Sequence, residues 1–218
     1  MSRTGGSAHE KELPDWFVTV AADVLRYREP GEGLWVDLGS GSGGLGLALA
    51  RASRSSVLLI DPNAKALSKG LDEARRPGVA GRVAAVVGRA ECLPLADGSV
   101  DLVVSRGSIF FWSDPPAGLR EVRRVLRAGC PAMIGGGFGS SYPAWAFEAF
   151  FRRIDDSLAA QGDEAVRKWH EPRRPEWLAA QAAAAGIEAI ISTSAPPGRW
   201  LLFEKDAPPG HAAPEAEC

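Results

Sequence analysis

Short apolar runs and longer amphipathic stretches alternate along most of the chain. Apolar runs of strand length lie at 34–38, 55–61, 82–88, 99–105 and 131–137. Stretches with apolar residues at helical spacing lie at 14–28, 44–52, 62–76 and 117–129. Strands that alternate with helices are typical of a parallel sheet with helices on both faces. The pattern therefore predicts a three-layer, Rossmann-like α/β sandwich.

The pattern changes after residue 138. Residues 139–174 are helical in pattern but rich in aromatic and charged residues, and they are longer than a usual connection in an α/β unit. We expect this insertion to cap a substrate site. A helix at 175–186 follows, and then two apolar runs at 187–193 and 199–205 with a short Pro/Gly-rich turn between them. A short turn predicts an antiparallel strand pair.

Domain organisation follows from these elements. We expect one domain at 14–206, preceded by a disordered leader at 1–13 and followed by a disordered tail at 207–218. A chain of 218 residues has room for one α/β domain with a full core, but not for separate cofactor and substrate domains. The insertion at 139–174 belongs to that single domain as a helical cap.

Charge and cysteine content narrow the class of partner. The chain has 25 Lys and Arg against 27 Asp and Glu, a net charge of −2, which does not favour nucleic acid or an anionic membrane. Cys92, Cys130 and Cys218 form no C-x-x-C pair, so neither a disulfide framework nor a metal site is expected. No apolar run approaches a membrane span. We expect a cytoplasmic monomer or homodimer with a small-molecule substrate.

A glycine-rich loop follows the first predicted strand. Gly39, Gly41 and Gly44 match the dinucleotide-binding pattern G-x-G-x-x-G, whereas Asp37 followed by Gly39, Gly41 and Gly43 matches an acidic nucleoside-binding loop. Glycines here let backbone N–H groups approach a ligand closely. The glycine spacing leaves both interpretations open.

Two carboxylates flank this loop. Asp61 lies about 20 residues after it, at the end of the next predicted strand, where an acid suits the ribose hydroxyls of either NAD or S-adenosylmethionine. Asp37 lies two positions before the first glycine, where a pyrophosphate would be repelled and an ammonium or sulfonium favoured. Asp37 therefore favours the cationic cofactor.

Four motifs in order resemble one known family. The stretches VDLGSGSGG, LLIDPN, GRAECLPLADGSVDLVVSRGSIFFW and LREVRRVLRAGCPAMIGGG resemble class I S-adenosylmethionine-dependent methyltransferases, in the small-molecule branch that includes quinone-biosynthesis methyltransferases. The resemblance covers residues 34–137. It implies S-adenosylmethionine as cofactor, and a seven-stranded, mostly parallel sheet whose last strand is antiparallel. The terminal strand pair agrees with that topology independently.

The resemblance also implies roles for particular residues. Asp37 would lie near the cofactor's amino group, and Asp61 would hold the ribose hydroxyls. In the segment GRAECLP the family usually has an acid at the position of Arg89, so the adenine contact is left to the backbone of Ala90 and to Glu91. The predicted cofactor-binding residues are Asp37, Gly39, Ser40, Gly41, Gly43, Asp61, Pro62, Ala90, Glu91, Ser105 and Arg106.

Aromatic residues near the fourth strand and in the insertion suggest a substrate pocket. We expect Phe110, Trp112, Tyr142 and Trp145 to wall it and to exclude water from the methyl group. The helical spacing of Phe147, Phe150 and Phe151 is more typical of core residues.

No general base stands out in the sequence. His170 and Arg106 are the candidate catalytic residues, since a histidine titrates near neutral pH and an arginine can pair with an anion.

Three functions agree with the sequence to different degrees. The first is a small-molecule methyltransferase that works by in-line methyl transfer. The second is a non-catalytic regulatory module that binds S-adenosylmethionine or S-adenosylhomocysteine, which the missing adenine-side acid and the lack of a clear base favour. The third is an NAD-dependent oxidoreductase, which Asp37 and the terminal strand pair disfavour.

Overall fold

A computed structural model describes residues 13–28, 31–76, 78–79, 81–193 and 198–206. The predicted leader, except for residue 13, and the predicted tail at 207–218 lie outside the described residues. Most of the predicted turn between the last two strands, at 194–197, also lies outside them.

The predicted strands and helices are all present, with shifts of a few residues at their ends. The strands are β1 Leu34–Leu38, β2 Ser56–Asp61, β3 Val83–Val87, β4 Leu102–Arg106, β5 Pro131–Gly136, β6 Ile190–Ser192 and β7 Arg199–Glu204. The helices are α1 Trp16–Tyr27, α2 Gly44–Ala52, α3 Ala64–Ala74, α4 Pro115–Val125, α5 Ala144–Ala159, α6 Asp163–His170 and α7 Pro175–Ala184. Two 3₁₀ turns, Ile109–Phe111 and Glu171–Arg173, complete the described elements.

The strands form one seven-stranded sheet in the order β3-β2-β1-β4-β5-β7-β6. Strands β1 to β5 pair in parallel, whereas β7 is antiparallel to both β5 and β6. This confirms the predicted fold class, including the antiparallel last strand. Because β7 runs opposite to β5, its first residue, Arg199, lies beside the last residue of β5, Gly136.

Alternate residues of each strand face opposite helical layers. Trp35 of β1 packs in the core under α1, α2 and α3, while Val36 packs in the core under α4 and α7. Both side chains are almost completely buried. A sheet covered on both faces explains why its central strands are continuously apolar instead of alternating.

The strand order places a crevice at one edge of the sheet. The chain proceeds outward from β1 through β2 to β3, and then returns to add β4 on the other side of β1. Ligands of open α/β sheets bind at such a reversal, outside the carboxyl ends of the strands. The glycine loop after β1, Asp61 at the end of β2 and Arg106 at the end of β4 all lie at this edge.

The insertion between β5 and β6 is helical, as predicted, and it packs through aromatic side chains. Phe138 is buried where β5 leads into the insertion, and its ring lies 4.9 Å from Phe150 and 5.0 Å from Tyr142. Trp16 of α1 meets Phe138 edge-on at 5.6 Å. These contacts attach the insertion to α1 and to the end of β5.

No helix among the described residues is both long enough and apolar enough to span a membrane.

Candidate active site

A cavity of about 450 Å³ opens at the carboxyl ends of β1, β2 and β4. Its size lies within the range of about 300–1,000 Å³ that is usual for small-molecule sites. The predicted cofactor residues in its wall are Gly39, Asp61, Pro62, Ala90, Glu91 and Arg106. Of the other predicted cofactor residues, Asp37, Gly43 and Ser105 are buried, while Ser40 and Gly41 are partly exposed in the glycine loop.

Backbone hydrogen bonds fix the shape of the glycine loop. The N–H groups of Gly39 and Ser40 donate to the carbonyl oxygen of Ile60, at 2.7 and 3.1 Å. The N–H of Gly41 donates to Asp61 Oδ2 at 2.8 Å, and Asp61 Oδ1 accepts from Asn63 N–H at 2.8 Å. The loop thereby holds the Asp61 carboxylate in one orientation at the cavity wall.

Both the backbone conformation at residue 39 and the lack of room for a side chain require a glycine there. Its φ of +68° lies in the left-handed region, and a Cβ there would collide with the side chain of Ser108. We expect the Gly39→Ala variant to lose about 2–4 kcal/mol of unfolding free energy, measured by urea denaturation, because strain and overpacking add.

Gly129→Ala is the matched control for this variant. Gly129 has a φ of +70°, but a Cβ there would meet no atom within 4 Å. We expect the Gly129→Ala variant to lose about 1 kcal/mol of unfolding free energy, which is the cost of the left-handed backbone conformation alone. Equal losses in the two variants would contradict the steric account of the loop.

Asp37 is buried behind the loop with 2% of its surface exposed. Its Oδ2 accepts from the backbone N–H of Gly46 in α2 at 2.7 Å. Burial raises the pKa of Asp37 to about 7, although the Gly46 bond opposes the increase. Among the described residues, no cationic side chain lies within 4 Å of this carboxylate. Asp37 is thus a buried acid with no ion pair to a described residue, although the more distant charge of Arg106 also lowers its pKa.

Ser105 is fully buried and lies behind the cavity wall. Its hydroxyl lies 2.6 Å from that of Ser108, which also donates to the carbonyl of Leu38 at 3.1 Å. Trp112 Nε1 donates to the same Ser108 hydroxyl at 3.0 Å. These bonds join the ends of β1 and β4 to Trp112, which lines the cavity.

Glu91 lines the cavity but its carboxylate is already engaged by the protein. Its Oε1 accepts from the backbone N–H groups of Ser113 and Asp114, at 2.7 and 3.2 Å. Arg89, at the position where the resembled family has an acid, donates to the Ser113 hydroxyl at 2.7 Å. The segment around Arg89 therefore binds the loop before α4.

A second cavity of about 620 Å³ adjoins the first, and both have Arg106, Gly107 and Phe111 in their walls. Its apolar wall is aromatic. The rings that line it are Phe110, Phe111, Phe138, Phe147, Phe150, Phe151 and Trp169.

The predicted substrate residues are divided between different places. Phe110 lines the second cavity and Trp112 the first. Tyr142 is only 3% exposed and packs against Phe138, with its hydroxyl donating to the carbonyl of Pro14 at 3.2 Å. Trp145 is 38% exposed and lines neither cavity. Of the four aromatic residues predicted to wall the substrate pocket, Phe110 and Trp112 thus line a cavity, whereas Tyr142 and Trp145 line neither of the two.

The helical phase of α5 explains why Trp145 lines neither cavity while three later phenylalanines of the same helix line the second. Phe147, Phe150 and Phe151 lie on the face of α5 that meets Phe138, and this face borders the cavity. Trp145, two residues before Phe147, projects from the opposite side of the helix. The residues expected in the core thus both pack against Phe138 and line the cavity.

Arg106 lies where the two cavities meet. Its Nε donates to the carbonyl of Gly137 at 2.6 Å, and its guanidinium carbon lies 5.0 Å from the ring centre of Trp16 and 5.3 Å from that of Phe138. Burial lowers the pKa of Arg106 to about 10, so it remains charged at neutral pH. A cation in this position attracts an anionic group from either cavity.

His170 lies at the end of α6 and lines the second cavity. Its Nε2 is 3.5 Å from Asp155 Oδ1, and its side chain is 45% exposed. Asp155 is on α5, so the sequence spacing gave no sign of this pair.

Comparison with known proteins identifies the family. The model of a family described as "Methyltransferase domain" matches residues 36–157, more than half of the 218-residue chain. The chain belongs to this methyltransferase family. The predicted membership of the class I S-adenosylmethionine-dependent methyltransferases is confirmed, and the curated relatives below show the similarity to quinone methyltransferases.

Two curated relatives of this methyltransferase-family chain are named after a hydroquinone and after quinone biosynthesis. The 2-methyl-6-phytyl-1,4-hydroquinone methyltransferase of Spinacia oleracea chloroplasts is 34% identical over 122 residues, covering 56% of the chain and 33% of the relative. The ubiquinone/menaquinone biosynthesis C-methyltransferase of Stenotrophomonas maltophilia is 36% identical over 108 residues, covering 49% of the chain and 42% of the relative. The chain spans less than half the length of these relatives.

Solved structures share the fold. A protein of Methanococcus maripaludis described as an S-adenosyl-L-methionine-dependent methyltransferase superposes with a TM-score of 0.75 and 24% identity, covering 95% of this chain and all of the other. A SAM-dependent methyltransferase of Aquifex aeolicus superposes with a TM-score of 0.61 and 15% identity, covering 86% of this chain and 91% of the other. These likenesses show the fold of the methyltransferase-family chain. No comparison favours the regulatory module or the NAD-dependent oxidoreductase over a methyltransferase.

Proposed function

We propose that this chain transfers a methyl group from S-adenosylmethionine to a small molecule, with the cofactor in the first cavity and the acceptor in the second. One observation carries the proposal: a cavity beside the glycine loop adjoins an aromatic cavity, and the two share Arg106, Gly107 and Phe111. A donor site that opens onto an apolar acceptor site is what methyl transfer shielded from water requires.

The glycine loop fits an adenosine-containing cofactor. A Cβ built on Gly41 would meet no protein atom within 4 Å, so the backbone faces space that a ligand can fill. The Ser40 hydroxyl is buried and has no hydrogen-bond partner among the described residues. Asp61 retains lone pairs for two ribose hydroxyls after its bonds to Gly41 and Asn63.

The charges near the loop fit the amino-acid end of the same cofactor. Asp37 is a buried acid that an ammonium group would neutralise, and Arg106 is a cation at the cavity junction that suits a carboxylate. Gly39 and Gly43 would shape the loop beneath this end, Pro62 and the Ala90 backbone would border the nucleoside, and Ser105 would act by positioning Ser108.

Bound S-adenosylmethionine would supply an electrophilic methyl carbon on a sulfonium, whose S–C bond breaks as the acceptor's bond to carbon forms. The chain's contribution is to align the acceptor and exclude water, and such orientation supplies up to about 7–11 kcal/mol in favourable cases. Phe110, Phe138 and Phe150 in the second cavity provide the apolar surface for it.

The catalytic assignment to His170 or Arg106 remains a prediction. The position of His170 in the second cavity, beside Asp155, supports a role as proton acceptor for a hydroxyl substrate. A thiolate, an enolate or a neutral amine would need no base.

The domain organisation, the location in the cell and the oligomeric state are also proposals. One domain at 14–206, with 139–174 capping the acceptor site, agrees with the aromatic contacts between the insertion and β5. The free thiols of Cys92 and Cys130 agree with action in the cytoplasm. We propose a monomer or homodimer that acts on a small molecule and not on nucleic acid or membrane.

Ligand binding followed by turnover tests the proposal. We expect isothermal titration calorimetry to show saturable binding of S-adenosylmethionine and S-adenosylhomocysteine, and no binding of NAD at the same concentrations. Methyl transfer from a radiolabelled donor to members of a panel of apolar phenols, thiols and amines would complete the evidence. Binding of NAD alone, or binding of the nucleosides with no turnover on any acceptor class, would contradict the proposed function.

A further inference from the structure

The second cavity combines an aromatic wall with an excess of positive charge. Arg106, Arg173, Arg174 and Arg199 all line it, and none of its described lining residues is Asp or Glu. Within the described residues, no carboxylate lies within 4 Å of any of these four guanidinium groups. The excess is local, since the whole chain carries a net charge of −2.

Arg199 is held in the cavity wall by the antiparallel last strand. It is partly buried at the start of β7, opposite Gly136 of β5. Its Nη1 donates to the carbonyl of Gly198 at 3.2 Å, while its Nε is buried and has no hydrogen-bond partner among the described residues. A buried donor without a partner is unfavourable, more so when it is charged, so an acceptor on a ligand would be favourable here.

Arg173 is stacked among aromatic rings. Its guanidinium carbon lies 3.5 Å from the ring centre of Trp169 and 4.4 Å from that of Phe110, and its Nη1 donates to the Trp169 carbonyl at 2.6 Å. Stacking fixes the guanidinium plane and leaves the other N–H groups available. Burial lowers the pKa of Arg173 to about 10, which is still well above neutral pH.

We propose that the methyl acceptor is an amphipathic anion, with an aromatic or otherwise apolar body among the phenylalanines of the second cavity and an anionic oxygen group bound by Arg199 and Arg173. This inference rests on the proposed function and adds the chemical class of its substrate. Arginine is well suited to the oxygens of a carboxylate or phosphate because its planar donors pair with two oxygens at once.

A neutral apolar acceptor would explain the aromatic wall but not the arginines. It would leave the buried Arg199 Nε without an acceptor and the Arg173 guanidinium without a counter-ion. An anion without an apolar body would leave the partly exposed phenyl rings of Phe110 and Phe150 in contact with water. Only a molecule with both parts satisfies both features.

Three matched probes test the charge requirement. We would measure the binding of 2-naphthoate, 2-naphthyl phosphate and the neutral 2-naphthamide by calorimetry in the presence of saturating S-adenosylhomocysteine. We expect at least one anion to bind at least tenfold more tightly than the amide, with an advantage that decreases as salt increases. The stronger anion distinguishes a carboxylate from a phosphate substrate.

Substitutions locate the anion. We expect Arg199→Gln and Arg173→Gln each to reduce the preference for the anion several-fold, with little change in binding of the amide. Arg75→Gln is the control, because Arg75 caps the end of α3 with its side chain 78% exposed and paired with Asp72. The control should keep the full preference of the wild-type protein.

The outcomes separate this inference from the proposed function. If S-adenosylhomocysteine binds but the amide binds as well as both anions, or if no anion binds, the substrate class is wrong and the methyltransferase proposal stands. Loss of nucleoside binding by the wild-type protein would instead contradict the proposed function. If either arginine variant fails to fold, the comparison of the three probes on the wild-type protein still decides whether the second cavity prefers an anion.

Discussion

The Asp61→Asn variant is expected to bind S-adenosylhomocysteine about 100-fold more weakly than the wild-type protein, a loss of about 2.7 kcal/mol. The Asp61 carboxylate faces the first cavity and is oriented by the N–H groups of Gly41 and Asn63. Asparagine has nearly the same shape and keeps one acceptor, but it lacks the charge that strengthens hydrogen bonds to ribose hydroxyls. Isothermal titration calorimetry measures the difference.

Two controls isolate the ribose contact of Asp61. Asp72→Asn changes an exposed acid on α3 that pairs with Arg75, and it should leave binding unaltered. The 2′-deoxy analogue of S-adenosylhomocysteine should bind the wild-type protein more weakly, while the Asp61→Asn variant should discriminate little between the two ligands. An equal penalty for the deoxy analogue in both proteins would show that Asp61 does not contact this hydroxyl.

The Asp37→Asn variant is expected to bind S-adenosylhomocysteine about 10- to 100-fold more weakly at pH 8, as for the loss of one charge-assisted interaction. Asp37 is buried, it accepts from Gly46 N–H, and no cationic side chain of the described residues lies within 4 Å. An ammonium group of the ligand would provide the missing positive charge. The control ligand is 5′-methylthioadenosine, which has no amino-acid group and should bind both proteins equally.

The raised pKa of Asp37 gives this interaction a pH dependence. Since the pKa is about 7 in the folded protein, ligand binding must displace a proton below that pH. We expect the affinity of the wild-type protein to fall by up to about tenfold for each pH unit between 7 and 5. The Asp37→Asn variant should show a flat profile over the same range, and a falling profile in the variant would assign the titration to another group.

The same pKa affects folding in the absence of ligand. Between its ordinary value of 3.8 and about 7, Asp37 is protonated in the folded protein and ionised in the unfolded chain. The stability that this group contributes is therefore fully present below pH 3.8 and lost as the pH rises through 7. Relative to Asp37→Asn, the wild-type unfolding free energy should increase as the pH is lowered through this window, by up to about 1.4 kcal/mol per unit.

The main features of the fold were predictable from local patterns. Continuous apolar runs such as 34–38 identified central strands, and their alternation with helices identified the parallel sheet. The short turn before Arg199 identified the antiparallel pair. Gly39 and Asp61 were also placed at the correct edge, because the loops after parallel strands meet there.

Other features of the site depended on contacts that the sequence does not encode locally. Glu91 was assigned to adenine, but it bonds to the backbone of Ser113 and Asp114, 22 and 23 residues away. Trp145 and Phe147 could be distinguished only after the phase of α5 against Phe138 was known. Phe138 was not selected from the sequence, although its position just after the glycines that end β5 was a signal.

The arginines of the second cavity were not predicted from the sequence, because their positions also depend on contacts between distant parts of the chain. Arg199 lies at the start of a strand, a position that points away from the ligand edge in a parallel sheet. Only the reversed direction of β7 brings it beside Gly136 at that edge. Arg173 reaches the same cavity through its stacking on Trp169, within an insertion whose path the sequence did not reveal.

A crystal structure with S-adenosylhomocysteine bound tests the central claim most directly. The account predicts that the ribose hydroxyls lie on Asp61, and that the sulfur lies near Gly107, where the two cavities meet and where a methyl group would face the aromatic cavity. A ligand bound elsewhere, or one whose sulfur is separated from the second cavity by protein, would contradict the assignment of donor and acceptor sites.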